Sequence, residues 1–223
     1  MKTAVIIPAY NSENTLASVI QDVRKELPNG TIIVIDDGSS DKTFDVAQAC
    51  GALVLSHCQN LGKGAALKTG FAKALLLGVD FILTLDSDGQ HRPYHIQDFF
   101  SVQENENADL IIGNRMHTLK NMPPHRILSN RTTSKLVSLR INNEVPDSQC
   151  GYRLIRAELL REIELITSHF ELESEIILKA GLADYRIASV AIDTVYATGS
   201  SAIHHVKDTF RFVILFFRSF FWY

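Results

Sequence analysis

Two acidic clusters stand directly behind runs of apolar residues. Asp36-Asp37-Gly38-Ser39-Ser40-Asp41 follows residues 31–35, and Asp86-Ser87-Asp88-Gly89-Gln90 follows residues 81–85. Asp86 and Asp88 are two positions apart, so in extended backbone their carboxylates point to the same side. Hard oxygen ligands of this kind suit Mg²⁺ or Mn²⁺ and leave positions for phosphate oxygens and water. Gln90 offers a neutral oxygen beside them. Asp and Gly are also routine turn formers, and Ser40 or Asp41 suits a helix N-cap. Capping accounts for Asp41, but not for the doublet Asp36-Asp37 at the end of a buried strand. A third segment, Asn60-Leu61-Gly62-Lys63-Gly64, looks like a phosphate loop but lacks both the G-x-x-x-x-G-K-[ST] order and a G-x-G-x-x-G behind a strand. Its glycines read as a tight helix start, and Lys63 as a candidate charge near a diphosphate. The missing glycine fingerprint argues against a dehydrogenase.

Acting together, these clusters need a scaffold that brings them to one edge. Residues 4–7 read as a buried strand closed by Pro8, and residues 12–27 as a helix with Leu16, Val19, Ile20 and Val23 on one face. Strands follow at 31–35, 52–56, 81–85 and 110–112, with helices at 41–50 and 64–77 between them. Continuous apolar strands alternating with helices predict an α/β three-layer fold with a mostly parallel central sheet, whose ligands sit beyond the carboxyl ends of the strands. Those ends carry Pro8-Ala9-Tyr10-Asn11 and the two acidic clusters. Facing one crevice, the clusters repel each other unless something positive or hydrogen-bonding intervenes. A ribose and base edge suits one, and a divalent cation with its diphosphate the other. The second half is less regular, with helices expected at 127–139, 157–166 and 172–180, a loop at 142–148 and a last strand at 186–192.

Composition narrows the class. The chain has 223 residues, 46% hydrophobic and 21% charged, enough for one well-cored domain over residues 1–206. A formal charge of -3 provides no basic field for nucleic acid. Cys50, Cys58 and Cys150 lack the spacing of a disulfide framework or zinc site and read as reduced thiols of a cytoplasmic protein. The N-terminus leads straight into a predicted strand without a secretory leader pattern. Residues 207–223 form a separate apolar segment, and half of the 12 phenylalanines fall in the last fourteen residues. With Arg211 and Arg218 inside it, this segment is too short for a span of roughly 20 apolar residues. It reads either as a helix lying on a membrane surface or as one packed on the domain.

Taken together and in order, Ile6-Ile7-Pro8-Ala9-Tyr10-Asn11, the two acidic clusters and Asn60-Leu61-Gly62-Lys63-Gly64 closely resemble the family 2 glycosyltransferases. The resemblance implies a GT-A fold and an inverting, metal-dependent hexosyltransferase using a nucleotide-sugar donor. Asp147-Ser148-Gln149-Cys150-Gly151-Tyr152-Arg153-Leu154 is similar to the branch that glycosylates dolichyl or other polyprenyl phosphates. By resemblance, Pro8, Tyr10 and Asp37 contact the nucleoside with Asp36 in support, and Asp86, Asp88 and Gln90 hold Mg²⁺ or Mn²⁺ on the diphosphate. Arg115 and Arg126 grip a lipid-phosphate acceptor, and Asp147 stands at the reaction centre. Asp147 acts as base for a hydroxyl acceptor or by positioning for a phosphate. Glu171, Glu173 and Glu175 read first as favourable charge at a helix start, with Glu173 a further site candidate. On the membrane-surface reading of the aromatic segment 207–223, the enzyme is expected peripherally on the cytoplasmic face of a membrane, using that segment to approach its lipid acceptor. A saccharide hydroxyl as acceptor and a catalytically silent nucleotide-sugar scaffold are the competing readings. The chain departs from many relatives at Ser12, where they carry Glu and Glu13 follows one later. Asn130 replaces a serine, and Ala202 follows Ser201, with His204 and His205 nearby as substitutes.

Overall fold

The computed structural model describes residues 1–117, 122–194 and 205–222. Of the departures noted above, Ser201, Ala202 and His204 lie outside the described residues. Among the described residues one seven-stranded sheet forms the core, in the order β3-β2-β1-β4-β6-β5-β7. The strands are β1 (Thr3–Ala9), β2 (Thr31–Asp36), β3 (Leu53–Ser56), β4 (Phe81–Thr84), β5 (Leu110–Asn114), β6 (Arg153–Arg156) and β7 (Ile187–Ala191). All neighbours pair in parallel except β6, which runs antiparallel to both β4 and β5. Every residue of β1 is buried, as expected of a strand covered on both faces.

The helices that cover the sheet are α1 (Leu16–Glu26), α2 (Thr43–Ala49), α3 (Lys63–Leu76), α4 (Ile96–Glu106), α5 (Pro124–Ile141), α6 (Ala157–Glu162), α7 (Glu171–Leu182) and α8 (His205–Arg218). Leu16, Val19, Ile20 and Val23 form the buried face of α1, as the periodicity predicts. Helix α3 lies so close to β1 that a Cβ on Gly70 would come within 2.6 Å of Ile6 Cγ2, so glycine is required there.

Two expectations need correction, and two elements were not expected. Pro8 does not close β1, which continues to Ala9 with Pro8 in register with Ile35. Pairing between β1 and β4 ends at Ile6 and Thr84, so the missing N–H of Pro8 falls beyond the last ladder bond on that side. The first helix begins at Leu16 and not near residue 12, because residues 12–15 are tied to neighbouring loops. Helix α4 and strand β6 had no clear signal. Gln103 occupies a buried position in α4, and β6 is four residues flanked by arginines, one of them the fully buried Arg153.

The C-terminal segment packs on the domain along one side and leaves the other side exposed. Phe212, Leu215 and Ser219 are buried against the domain, whereas Phe210, Phe217, Phe220 and Phe221 are exposed. Arg140 fastens the inner face, donating to Ser219 O at 2.6 Å and lying over the Phe220 ring. Among the described residues no helix is long and apolar enough to cross a membrane.

Candidate active site

Because β2, β1 and β4 are adjacent and parallel, their carboxyl ends bring the three polar segments together at one edge. The loops then bond to one another. Asp37 N–H donates to Ala9 O at 2.8 Å, and Asn11 N–H to Ser39 Oγ at 2.9 Å. Ser12 makes sense of its departure from the family pattern: its hydroxyl meets Ser87 Oγ at 2.9 Å, and its N–H donates to Thr43 Oγ1 at 2.7 Å. Glu13 Oε2 accepts from Lys42 N–H at 3.1 Å at the start of α2. Asp41 accepts from Thr43 N–H at 3.0 Å, but the N-cap of α2 is Lys42 and carries no side-chain capping bond, so neither Ser40 nor Asp41 is the cap.

The acidic doublet divides its work. Asp37 is buried, and its carboxylate is taken up inside the protein, by His57 Nδ1 at 2.6 Å, Leu61 N–H at 3.0 Å and Gly62 N–H at 2.8 Å. It thereby fixes the 57–62 loop ahead of α3. Asp36 is buried as well, and among the described residues its carboxylate accepts one bond, from Ser39 N–H at 3.1 Å. Pro8 is buried beneath this edge and Tyr10 is half exposed above it.

At the end of β4 the second cluster meets a lysine. Lys63 Nζ lies 2.6 Å from Asp86 Oδ1 and 2.9 Å from Glu173 Oε1, and the Phe170 ring packs beside it. His91 Nε2 is 3.9 Å from Asp86 Oδ2. Burial opposes ionisation of Asp86, but the Lys63 charge outweighs it and holds the carboxyl below its usual range. Lys63 itself is held protonated: burial works against its charge, and Asp86 and Glu173 more than compensate. Asp88 goes the other way, raised by desolvation and by the Asp86 charge, while its Oδ1 accepts from Gln90 N–H at 2.9 Å. His91 is buried, which pushes its imidazole down to about 4 and keeps it neutral. Two hard carboxylates, the first held ionised and the second discouraged by it, with Gln90 alongside, have the donor chemistry for a divalent cation. Among the described residues no three His, Cys, Asp or Glu side chains form a closed metal cage. A cation held here would depend on oxygens from a ligand or water.

Arg115 and Arg126 share an open cleft, lined also by Asn130, Met122, Phe170 and Phe212. Asp147 is fully buried behind Arg115. Arg115 Nε donates to Asp147 Oδ2 at 2.7 Å and Nη2 to Oδ1 at 2.9 Å, a bidentate pair that the Arg115 backbone N–H joins at 3.1 Å. Asn130 Nδ2 adds a bond to Oδ1 at 2.6 Å, which accounts for Asn at that departure. Burial works against the charge, but Arg115 and Asn130 hold Asp147 below the usual carboxylate range. Asp147 has no exposed oxygen, and its carboxylate faces Arg115 and Asn130 inside the protein. Glu173 lines the same cleft with Glu171, while Glu175 turns inward to Lys179 and the 166–167 backbone.

The sequence reading missed four contributors. His57 holds Asp37, and His91 backs Asp86 directly after Gln90. Arg153 donates to the carbonyls of Cys150, Ser148 and Glu173, stapling the 147–151 loop to α7. Gly151 lies against the Lys63–Asp86–Glu173 cluster, where a Cβ would meet all three side chains within 3.0 Å. Gly151 and Arg153 stand within the motif that carried the branch resemblance, but no spacing rule reveals their contacts.

Comparison with known proteins agrees with this geometry. The family model described as glycosyl transferase family 2 matches residues 4–164. The UDP-N-acetylglucosamine–dolichyl-phosphate N-acetylglucosaminyltransferase of Methanococcus voltae is 29% identical, over 95% of this chain and 94% of that one. The polyprenol monophosphomannose synthase of Mycolicibacterium smegmatis is 31% identical, over 74% of this chain and 65% of its own. Among solved structures, glucosyl-3-phosphoglycerate synthase of Mycobacterium tuberculosis superposes with a TM-score of 0.76 at 21% identity, covering 98% of this chain and 79% of that one. The sheet order, the shared edge of polar loops and these matches lead to one assignment: the chain belongs to glycosyltransferase family 2, with the GT-A fold.

Proposed function

We propose that the protein transfers a hexose from a UDP- or GDP-sugar to a polyprenyl phosphate, with inversion at the sugar carbon, while resting on the cytoplasmic face of a membrane. One observation carries the acceptor half: two arginines line a cleft with an apolar wall, while the carboxylate behind them is buried and bound. Guanidinium groups grip a phosphate through paired N–H donors. A phosphate oxygen is already anionic at neutral pH, so such an acceptor needs no base. Asp147 then acts as a positioning residue that fixes Arg115. Met122, Phe170 and Phe212 suit the first carbons of a prenyl chain, and the exposed phenylalanines of α8 begin beside the same cleft.

On the donor side, Pro8, Tyr10 and Asp36 receive the nucleoside, with Asp37 shaping the loop beneath it. Asp86, Asp88 and Gln90 would hold Mg²⁺ or Mn²⁺, which when bound stabilises the charge developing on the diphosphate leaving group. Lys63 adds a fixed positive charge next to that group. Support for the metal comes from the solved neighbour, which was captured with Mn²⁺ and UDP-glucose. Support for the acceptor comes from the relatives named for dolichyl and polyprenyl phosphates.

A hydroxyl acceptor is the second reading, favoured by Glu171 and Glu173 on the cleft wall and by the different acceptor of the solved neighbour. Against it, Glu173 Oε1 is held by Lys63. The deciding assay presents UDP-glucose, UDP-N-acetylglucosamine and GDP-mannose with Mn²⁺ to undecaprenyl phosphate, dolichyl phosphate and free saccharides. Transfer to a lipid phosphate, lost in Arg126→Ala, supports the proposal. Transfer only to a hydroxyl would overturn the acceptor half, and no transfer at all would favour a silent scaffold.

A further inference from the structure

The Asp86 carboxylate already has a cation, and that cation belongs to the protein. Lys63 Nζ is 2.6 Å from Asp86 Oδ1 and His91 Nε2 is 3.9 Å from Oδ2, so both oxygens are faced by nitrogen. The lysine is enclosed. Glu173 binds it at 2.9 Å, Phe170 packs beside it, and Gly151 approaches so closely that a methyl there would come within 2.7 Å of Nζ. Asp88, by contrast, is exposed and makes no ion pair among the described residues. One of the two carboxylates that would hold a metal is therefore engaged, and the other is open.

We infer that Lys63 is a resident placeholder for the metal's charge, so that metal loads together with the nucleotide diphosphate and not before it. This rests on the metal-site reading of Asp86 and Asp88 proposed above. A divalent ion arriving alone must displace an ammonium from a partly enclosed carboxylate and leave it facing Glu173 without Asp86. A diphosphate arriving with the metal offers the displaced ammonium a new anionic partner. Lys63 then passes its charge from Asp86 to the ligand while Glu173 keeps hold of it. Binding of the two ligands becomes cooperative through the lysine as well as through their own contact, and such coupling is reciprocal. Glu173 is a positioning residue in this scheme, because it keeps the ammonium within reach of both partners.

The test is Mn²⁺ binding followed by electron paramagnetic resonance of free Mn²⁺, with and without UDP and GDP, and with nucleotide titrations in metal-free buffer. The variants are Lys63→Met and the charge-balanced Lys63→Met/Glu173→Gln. The double variant keeps the question answerable should the single one fold poorly, and thermal melting reports folding for both. Wild type should bind Mn²⁺ weakly alone and about tenfold or more tighter with the nucleotide, within the usual range of coupling between sites. Removing the lysine should tighten Mn²⁺ alone by about tenfold and weaken metal-free nucleotide binding, two changes of opposite sign that a purely structural role would not produce. Folded variants that bind Mn²⁺ no tighter than wild type would overturn the placeholder role and leave the metal site standing. If no form binds Mn²⁺ even with nucleotide, the metal-site reading falls and this inference with it.

Discussion

Gly151→Ala places one methyl group against the charged cluster of the site. Its backbone is outside the left-handed region, so alanine adds no conformational strain and the substitution reports contact alone. The new Cβ would lie 2.7 Å from Lys63 Nζ, 2.9 Å from Glu173 Oε1 and 3.0 Å from Asp86 Oδ2. Each must retreat by roughly half an ångström to reach ordinary contact distance, and those atoms are the ones bonded to one another at 2.6 and 2.9 Å. Lysine can swing away at its flexible end, but only by loosening both carboxylates. Overpacking of this kind costs about 1–3 kcal/mol. For a chain of this size a loss of 2 kcal/mol lowers Tm by about 4–8 °C. Calorimetry gives that figure, and titration with UDP-sugar and Mn²⁺ gives the functional effect, which should be proportionally larger because Lys63 and Asp86 both serve the donor. An alanine variant with wild-type Tm and wild-type donor affinity would refute the reasoning, since the three charged groups would then not depend on the space the glycine leaves.

Three further outcomes are expected. Arg126→Lys keeps the charge but loses the planar fork, so KM for polyprenyl phosphate should rise about tenfold with donor affinity unchanged; equal acceptor kinetics would remove Arg126 from the phosphate site. Asp147, with its folded pKa held low by Arg115, contributes stability that is complete above its unfolded value near 4 and is lost as pH falls through the lower folded value. Asp147→Asn should therefore melt lower at neutral pH and show a flatter Tm profile below about pH 4 than wild type, and parallel profiles would deny the pair that role. Phe217 and Phe221 are 63% and 89% exposed, so Phe217→Asp/Phe221→Asp should abolish flotation with anionic liposomes while shifting Tm by less than about 2 °C. Undiminished flotation would show that another surface makes the membrane contact.

Legibility in the sequence followed the kind of interaction involved. Strands such as β1 and helices such as α1 were readable because burial repeats with a fixed period, and the polar clusters stood out because they interrupt it. Once parallel pairing is granted, the meeting of Tyr10, Asp36 and Asp86 at one edge follows. Strand β6 and helix α4 break the same rule from inside, since Arg153 and Gln103 are polar residues in buried positions. A buried arginine satisfied by three carbonyls cannot be told from a solvated one without knowing where the chain returns.

The same limit explains why roles were harder to read than membership of the site. Asp36 and Asp37 are neighbours of one type, yet one retains acceptor capacity and the other is consumed by His57 and two backbone N–H groups more than twenty residues on. Asp86 and Asp88 divide in the same manner: Lys63 holds the first ionised, and the first in turn discourages ionisation of the second. Asp147 is bound by Arg115 and Asn130, both distant in sequence. In each case the residue type named the chemistry available, and a long-range partner decided how much of it was left for a ligand. On the reading proposed above, carboxylates consumed by protein partners, as at Asp37 and Asp147, act as supports, and groups with capacity left over are the expected ligand contacts. By that criterion Asp36, Asp88 and Arg126 are the positions whose substitution should alter ligand affinity most with least effect on the fold, whereas Asp37 and Asp147 should cost stability first.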